Sequence, residues 1–181
     1  MPRSGAVARR YAEAAFEVAT EEAGVERWSD ELARAAEAYA DPRVGEVLRD
    51  PSLNAGARRE VLQRVLVQPL SARVLNLVTL LIQRRLVDLL PAVASEFQRL
   101  VDRRDGVTPA IVASAAPLTP GEMRELNDRL VQLTAGPVRV TTEVDPGLIG
   151  GVTVRLGDRL FDGSVRGRLE RLRGRLASGA L

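Results

Sequence analysis

The sequence predicts an all-α N-terminal six-helix bundle followed by a small two-layer α+β C-terminal domain. Three observations carry this expectation. From Gly5 to Arg104, apolar residues recur at helical spacing between short Pro, Asn and Gly turns. Beyond Arg103-Arg104-Asp105-Gly106 the period changes to two, with Val138, Val140, Thr142 and Val144 alternating with Arg139, Thr141 and Glu143. Val152, Val154 and Leu156 repeat that alternation, and a helical period then resumes. The expected domains are residues 1–105 and 106–181, and a chain of 181 residues can bury a modest core in each.

Gly5 to Glu22 is Ala-rich and strongly helix-forming. Val7, Tyr11, Ala14 and Val18 share one line of this helix, while Ala8, Ala12, Ala15, Phe16 and Ala19 share the adjoining line. Together they span an apolar arc of roughly 200°, about twice what a surface helix needs. Either the helix is sunk between several neighbours, or half of the arc receives a partner helix, whose backbone small Ala side chains would let approach closely. Gly24 is expected as a left-handed cap. A second helix follows from Glu26 to Ala40, carrying Trp28, Leu32, Ala35 and Tyr39, and Asp41-Pro42 breaks it.

Short helices are expected over Val44–Arg49 and Asn54–Leu66, and a fifth from Pro69-Leu70-Ser71 to Arg84. The core stripe of the fifth is Leu70, Val74, Leu77, Val78 and Leu81; Leu80 falls outside it, beside Arg73, Asn76 and Arg84. Asn76 and Leu80 lie one turn apart, able to offer a partner one polar and one apolar contact. A sixth helix covers Val87–Arg104, with Pro91 in its first turn, where unpaired N–H groups make it tolerable.

In the second half, Pro109–Ala115 reads as a strand and Thr119–Ala135 as a helix with Thr119 as cap and Pro120 at its first position. Gly147, Gly150 and Gly151 precede a strand and no Lys-Ser/Thr follows them, so they read as turn and bulge glycines, not as a phosphate loop. Gly157-Asp158 suits a hairpin turn into Arg159-Leu160-Phe161, and Asp162-Gly163-Ser164 offers cap chemistry for the last helix. Two helices are expected to lie on the sheet, one through Leu126, Leu130 and Leu133, the other through Val165, Leu169, Leu172 and Leu176. The arginines of the last helix, Arg171 and Arg173 among them, are then left for solvent or for an acidic partner segment.

The chain has no Cys and no His, which removes disulfides, thiolate and imidazole metal sites and imidazole catalysis. No nucleophile–base pair stands out, so no catalytic residue, cofactor or metal is assigned. No signal-peptide pattern opens the chain and no apolar run reaches about 18 residues, so a soluble intracellular protein is expected. Every basic residue is Arg, but the formal net charge is only +2 and aromatics make up 3%. That favours an ordinary interspersed surface over a nucleic-acid groove.

The run GGVTVRLGDRLFDGSVRGRLERL, residues 150–172, resembles the C-terminal signature of the delta subunit of the F-type ATP synthase, a family related to the mitochondrial oligomycin-sensitivity-conferring protein. The run ARRYAEAAFEVATEEAGVERWSDEL, residues 8–32, is similar to that family's opening helices. The resemblance implies a non-catalytic stator subunit that keeps the catalytic head from turning with the rotor. Its helical domain would bind the N-terminal helices of the alpha subunits, and its second domain the C-terminal region of the b-type stalk subunit. The resemblance also puts the head-binding surface on the first and fifth helices. Carried over, the candidates are Tyr11, Ala14, Asn76 and Leu80, with Val7 and Val18 completing the stripe and Trp28 beside it. Membrane association would be indirect, at the cytoplasmic face of the cell membrane, with no nucleic acid bound. The competing reading is an Arg-rich nucleic-acid-binding accessory protein, whose affinity would fall steeply with salt.

Overall fold

The computed structural model describes residues 2–177. Among them, eight α-helices and four strands follow in order. They are α1 (Pro2–Glu21), α2 (Val25–Ala40), α3 (Pro42–Arg49), α4 (Ala55–Val65), α5 (Ala72–Gln83), α6 (Leu90–Asp105), β1 (Thr108–Ser114), α7 (Pro120–Thr134), β2 (Val138–Val144), β3 (Val152–Leu156), β4 (Arg159–Asp162) and α8 (Val165–Ala177). Short 3₁₀ turns, Val87–Leu89 and Pro146–Leu148, precede α6 and β3. The chain divides into two compact units, residues 1–101 and 102–181.

In the first unit the helix starts are written into the sequence. Asp41 accepts the Arg43 N–H (2.8 Å) ahead of α3, and Asn54 the Ala57 N–H (2.8 Å) ahead of α4. Ser71 caps α5 and is itself held by the buried Glu31 carboxylate of α2, to which its N–H and hydroxyl donate at 2.8 and 2.7 Å. Ala8, Ala12, Ala15 and Ala19 of α1 are all buried, so α1 meets the core with its smallest side chains. The same core takes in Leu32, Leu48, Leu62, Val78, Leu81 and Phe97. Trp28 stacks on Phe97 with ring centroids 6.3 Å apart, and Phe16 meets the same ring edge-on at 5.6 Å. Such pairs add about 0.5–1.5 kcal/mol each beyond their buried area.

One helix end departs from the sequence reading. The left-handed residue after α1 is Ala23 (φ 50°), whereas Gly24 has φ −121° and begins α2. The Gly24 N–H reaches back to the Ala19 carbonyl (2.9 Å) and the Ala23 N–H to Thr20 (3.1 Å), which places Ala23 at the position glycine normally fills. An L-residue there carries a steric penalty of about 1 kcal/mol. Ala23→Gly should therefore raise the melting temperature by a few degrees, less what the extra freedom of the unfolded chain removes. A lower melting temperature in calorimetry would show that the turn carries no such strain.

The second unit is a four-stranded sheet in the order β2-β1-β3-β4. β1 and β2 are parallel (Ala110 beside Val140), which requires the crossover that α7 supplies. β1 pairs antiparallel with β3 (Val112 with Val154), and β3 with β4 (Val154 with Phe161). A capping box starts α7: Thr119 Oγ accepts the Glu122 N–H (3.3 Å) while Glu122 accepts the Thr119 N–H (2.8 Å). Gly106 (φ 66°) ends α6, and the Val107 N–H bonds back to Asp102 O at 2.8 Å. The buried Asp102 carboxylate accepts from Arg139 Nε on β2 at 2.8 Å, tying that last helical turn to the sheet.

The core of this unit is small, built on Ala110, Val112, Leu130 and Val154. Leu126 packs against it, but Leu133, at the right azimuth and in the last turn of α7, is 66% exposed because the core ends at Leu130. The expectation that α8 lays Val165, Leu169, Leu172 and Leu176 on the sheet is also overturned, since all four are exposed. The buried residues at its start are Ser164 and Gly167. Ser164 Oγ accepts the Gly167 N–H (3.0 Å), and a Cβ on Gly167 would collide with the Asp162 carboxylate. Gly167 lies about 200° round the helix from Val165. Docking α8 through Gly167 thus turns the Leu stripe outward.

Candidate partner-binding site

A groove of about 260 Å³ opens on the first unit between α1 and α5. Tyr11, Ala14 and Val18 form its α1 wall, at spacings that put all three on one helix face, while Ala15 and Trp28 also line it. Arg73, Asn76 and Leu77 of α5 complete it. Ala14 and Asn76 are exposed, Tyr11 and Val18 half-buried, and Trp28 is 3% exposed. The Trp28 Nε1–H is buried without a hydrogen-bond partner, although its ring is held flat on Phe97. The Arg73 guanidinium is ion-paired with Glu22, whose other oxygen lies 3.7 Å from Arg27, so one rim of the groove is polar and braced.

Val7 lines an adjoining hollow of about 290 Å³ with Arg10, Tyr11 and Leu86. Tyr11 belongs to both hollows, so they meet there along α1. Leu80 is 37% exposed on the same face of α5 as Asn76, one turn further on, yet it lines neither hollow. Leu77 takes that role, although its spacing reads as core. Arg73 is visible in the sequence as a neighbour of Asn76 and Leu80 on the polar side, but its place at the rim depends on Glu22, in the turn after α1 and far away in sequence.

The second unit offers an outward apolar face on α8, where Leu169 and Leu172 are 54% and 53% exposed. Leu160 and Phe161 of β4 are exposed as well. Arg171 does not share that face: its Nη1 lies 3.7 Å from the Asp162 carboxylate, and Nη2 donates to the Asp162 carbonyl at 3.4 Å. Hydrogen bonds from the Ser164 hydroxyl and N–H hold the Asp162 carboxyl below its ordinary pKa, with Arg171 adding to the shift. Arg173 is exposed and flanks the leucines. The two arginines expected to act together thus lie on different sides of the helix. Among the described residues, no group of His, Cys, Asp or Glu could hold a metal ion, and no helix is long and apolar enough to cross a membrane.

The family model described as ATP synthase delta (OSCP) subunit matches residues 7–176, a span that begins within α1 and ends within α8. The chain belongs to the ATP synthase delta (OSCP) family. Among curated members, the "ATP synthase subunit delta" of Geobacter metallireducens is 37% identical over 180 residues, covering 97% of this chain and 99% of the relative. That of Desulfitobacterium hafniense is 38% identical over 171 residues, covering 93% and 95%. A chain in the cryo-EM structure of the Toxoplasma gondii mitochondrial ATP synthase hexamer superposes with a TM-score of 0.69, covering 94% of this chain and 97% of that one. At 23% identity that likeness speaks for the fold alone. The family resemblance read from residues 8–32 and 150–172 therefore holds for nearly the whole delta subunit sequence.

Proposed function

We propose that this delta subunit grips the catalytic head with the α1/α5 groove and the peripheral stalk with the outward face of α8. Family membership makes the chain a non-catalytic stator subunit of an F-type ATP synthase and a peripheral part of a membrane-bound complex. The proposal concerns which face does which task. The observation that carries it is the groove itself: an apolar trough along Tyr11, Ala14 and Val18, with a polar rim at Arg73 and Asn76, suits the apolar face of a helix. Its occupant is the N-terminal helix of an alpha subunit, and the helical domain expected over residues 1–105 is the head-binding domain. Residues 106–181 bind the C-terminal region of the b subunit. A stator works by holding at both ends for many turnovers, so large apolar faces serve it better than screened surface charges. The subunit sits at the cytoplasmic face of the cell membrane, as a peripheral part of that complex.

A double substitution tests the second half. Leu169→Asp/Leu172→Asp should weaken binding of a fragment from the C-terminal region of the b subunit by at least about 100-fold, because two carboxylates would be desolvated on docking. The melting curve of the free chain should hardly move, since both leucines are already exposed. Binding of a peptide from the N-terminal helix of the alpha subunit should be unchanged. Retained affinity for the stalk fragment would place the stalk elsewhere on the chain.

A further inference from the structure

The first unit has a further concavity, of about 500 Å³, on whose walls the arginines come from three separate elements. Arg49 ends α3, Arg58 lies in α4, and Arg85 follows α5; Asp88 faces them, and Leu48 and Ile82 form an apolar floor. Arg49 and Asp88 neutralise each other. Arg49 Nη1 donates to the Tyr39 hydroxyl (2.8 Å) and to Asp88 Oδ1 (3.4 Å), and the Tyr39 hydroxyl donates to the same carboxylate. Burial and then the Asp88 hydrogen bond raise the Tyr39 pKa, which keeps that hydroxyl a donor.

Two guanidiniums remain uncommitted to acids within the pocket. Arg58 spends one N–H on the Leu48 carbonyl (3.2 Å), while its Nε is buried with no hydrogen-bond partner. Hydrogen bonds from Ser52, its N–H at 2.8 Å among them, hold the Asp50 carboxyl below its ordinary pKa, with nearby Arg58 adding to the shift. Arg85 stands at φ 57° in the left-handed position after α5, fixed by its N–H to Ile82 O (3.1 Å) and the Leu86 N–H to Leu81 O (2.8 Å). Glycine would sit there without strain, so this chain keeps a side chain at a backbone cost. Strain retained at a pocket wall points to a use for the side chain.

We infer that this pocket binds a phosphate dianion, free or as a small phosphate monoester. Three arginines, Asp88 and the neighbouring Asp50 leave the site a net charge of about +1, and a phosphate offers Arg58 and Arg85 more oxygens at once than one side-chain carboxylate does. Guanidinium forks match phosphate oxygens in pairs. The volume exceeds that of inorganic phosphate, and the Leu48–Ile82 floor has room for the organic part of an ester. The site shares no lining residue with the α1/α5 groove, so it stands or falls apart from the proposed function.

The test uses the full-length chain. Sodium phosphate, glycerol 3-phosphate and a pentaglutamate peptide are titrated separately at constant ionic strength, following the arginine Nε–H NMR signals and the melting temperature. Phosphate raises the melting temperature of most proteins by exclusion from their surface, so the reading is wild type against variant. Expected are saturable shifts of the Arg58 and Arg85 signals, and an affinity about tenfold lower in Arg58→Gln and in Arg85→Gly, as for one lost charge-assisted contact. Arg85→Gly should combine a higher melting temperature without ligand with a weaker response to phosphate, a pairing that loss of folding cannot imitate. Tighter binding of glycerol 3-phosphate than of phosphate assigns the site to an ester, and equal binding to the free anion; both uphold it. Equal responses of wild type and both variants would overturn it, as would pentaglutamate moving the signals while phosphate does not.

Discussion

Replacing Gly151 by valine unfolds the second unit and leaves the helical unit intact. Gly151 has φ 75°, a region that a β-branched residue enters only at a cost of about 1–3 kcal/mol. A Cβ there would also lie 2.6 Å from the Gly163 carbonyl oxygen and 3.1 Å from Ser164 Cα. Neither neighbour is a flexible side-chain tip. The Gly163 N–H is bonded to Val152 O (3.0 Å) and the Val165 N–H to Gly150 O (2.9 Å), so moving residues 163–165 opens the β3–β4 end and the start of α8 together. Forced overpacking adds about 1–3 kcal/mol more. A unit whose core rests on Ala110, Val112, Leu130 and Val154 has little to set against this, since whole domains are stable by only about 5–15 kcal/mol. Hydrogen exchange should show β1–β4 losing protection while α1 to α5 keep theirs. Unchanged protection in β3 would show that the turn can relax around a side chain. Gly151→Ala should give a smaller loss of the same kind, as it carries the clash without β-branching.

The parts of this fold that were legible in the sequence are those decided locally. The strands Val138–Val144 and Val152–Leu156 were readable because alternation is a property of neighbouring residues. So was the start of α7, where Thr119 and Glu122 form their capping box within one turn. The two lines of α1 were also readable: the Ala8–Ala12–Ala15–Ala19 line is buried, and the Tyr11–Ala14–Val18 line faces a groove. What was not legible depends on contacts between distant residues. The outward turn of α8 follows from Gly167 packing on Asp162, and a glycine carries no hydrophobic signal. Ala23 occupies the left-handed position because the bond from Gly24 to Ala19 sets the register, although the glycine next to it is the easier residue to bend. Leu77 rather than Leu80 reaches the groove, and periodicity cannot tell a core leucine from one that also lines a wall. The arginine pocket is assembled from α3, α4 and the turn after α5, none of which carries a motif.

Ala14 and Ala15 are adjacent in sequence, yet an aspartate should have opposite effects at the two. Ala15 is 4% exposed and Ala14 is exposed, and both line the groove, one at its floor and one at its mouth. A carboxylate at position 15 would be buried among Ala12, Ala19 and their neighbours without a partner, which costs several kcal/mol and should unfold the helical unit. At position 14 it stays in water while the groove is empty, so the free chain should melt within about 1 kcal/mol of wild type. The cost appears only when an apolar helix closes over it. Binding of a peptide from the N-terminal helix of the alpha subunit should then fall by at least about 100-fold, since desolvating an unpaired carboxylate takes several kcal/mol. Leu80→Asp is the graded control, with a loss smaller than that of Ala14→Asp because Leu80 lies beyond the lining residues. Melting curves and peptide titrations on the three variants separate the alternatives. If Ala14→Asp binds the peptide as wild type does while Leu80→Asp does not, the helix docks past the end of the groove toward Leu86. If both bind normally, the head is held by another face of this unit.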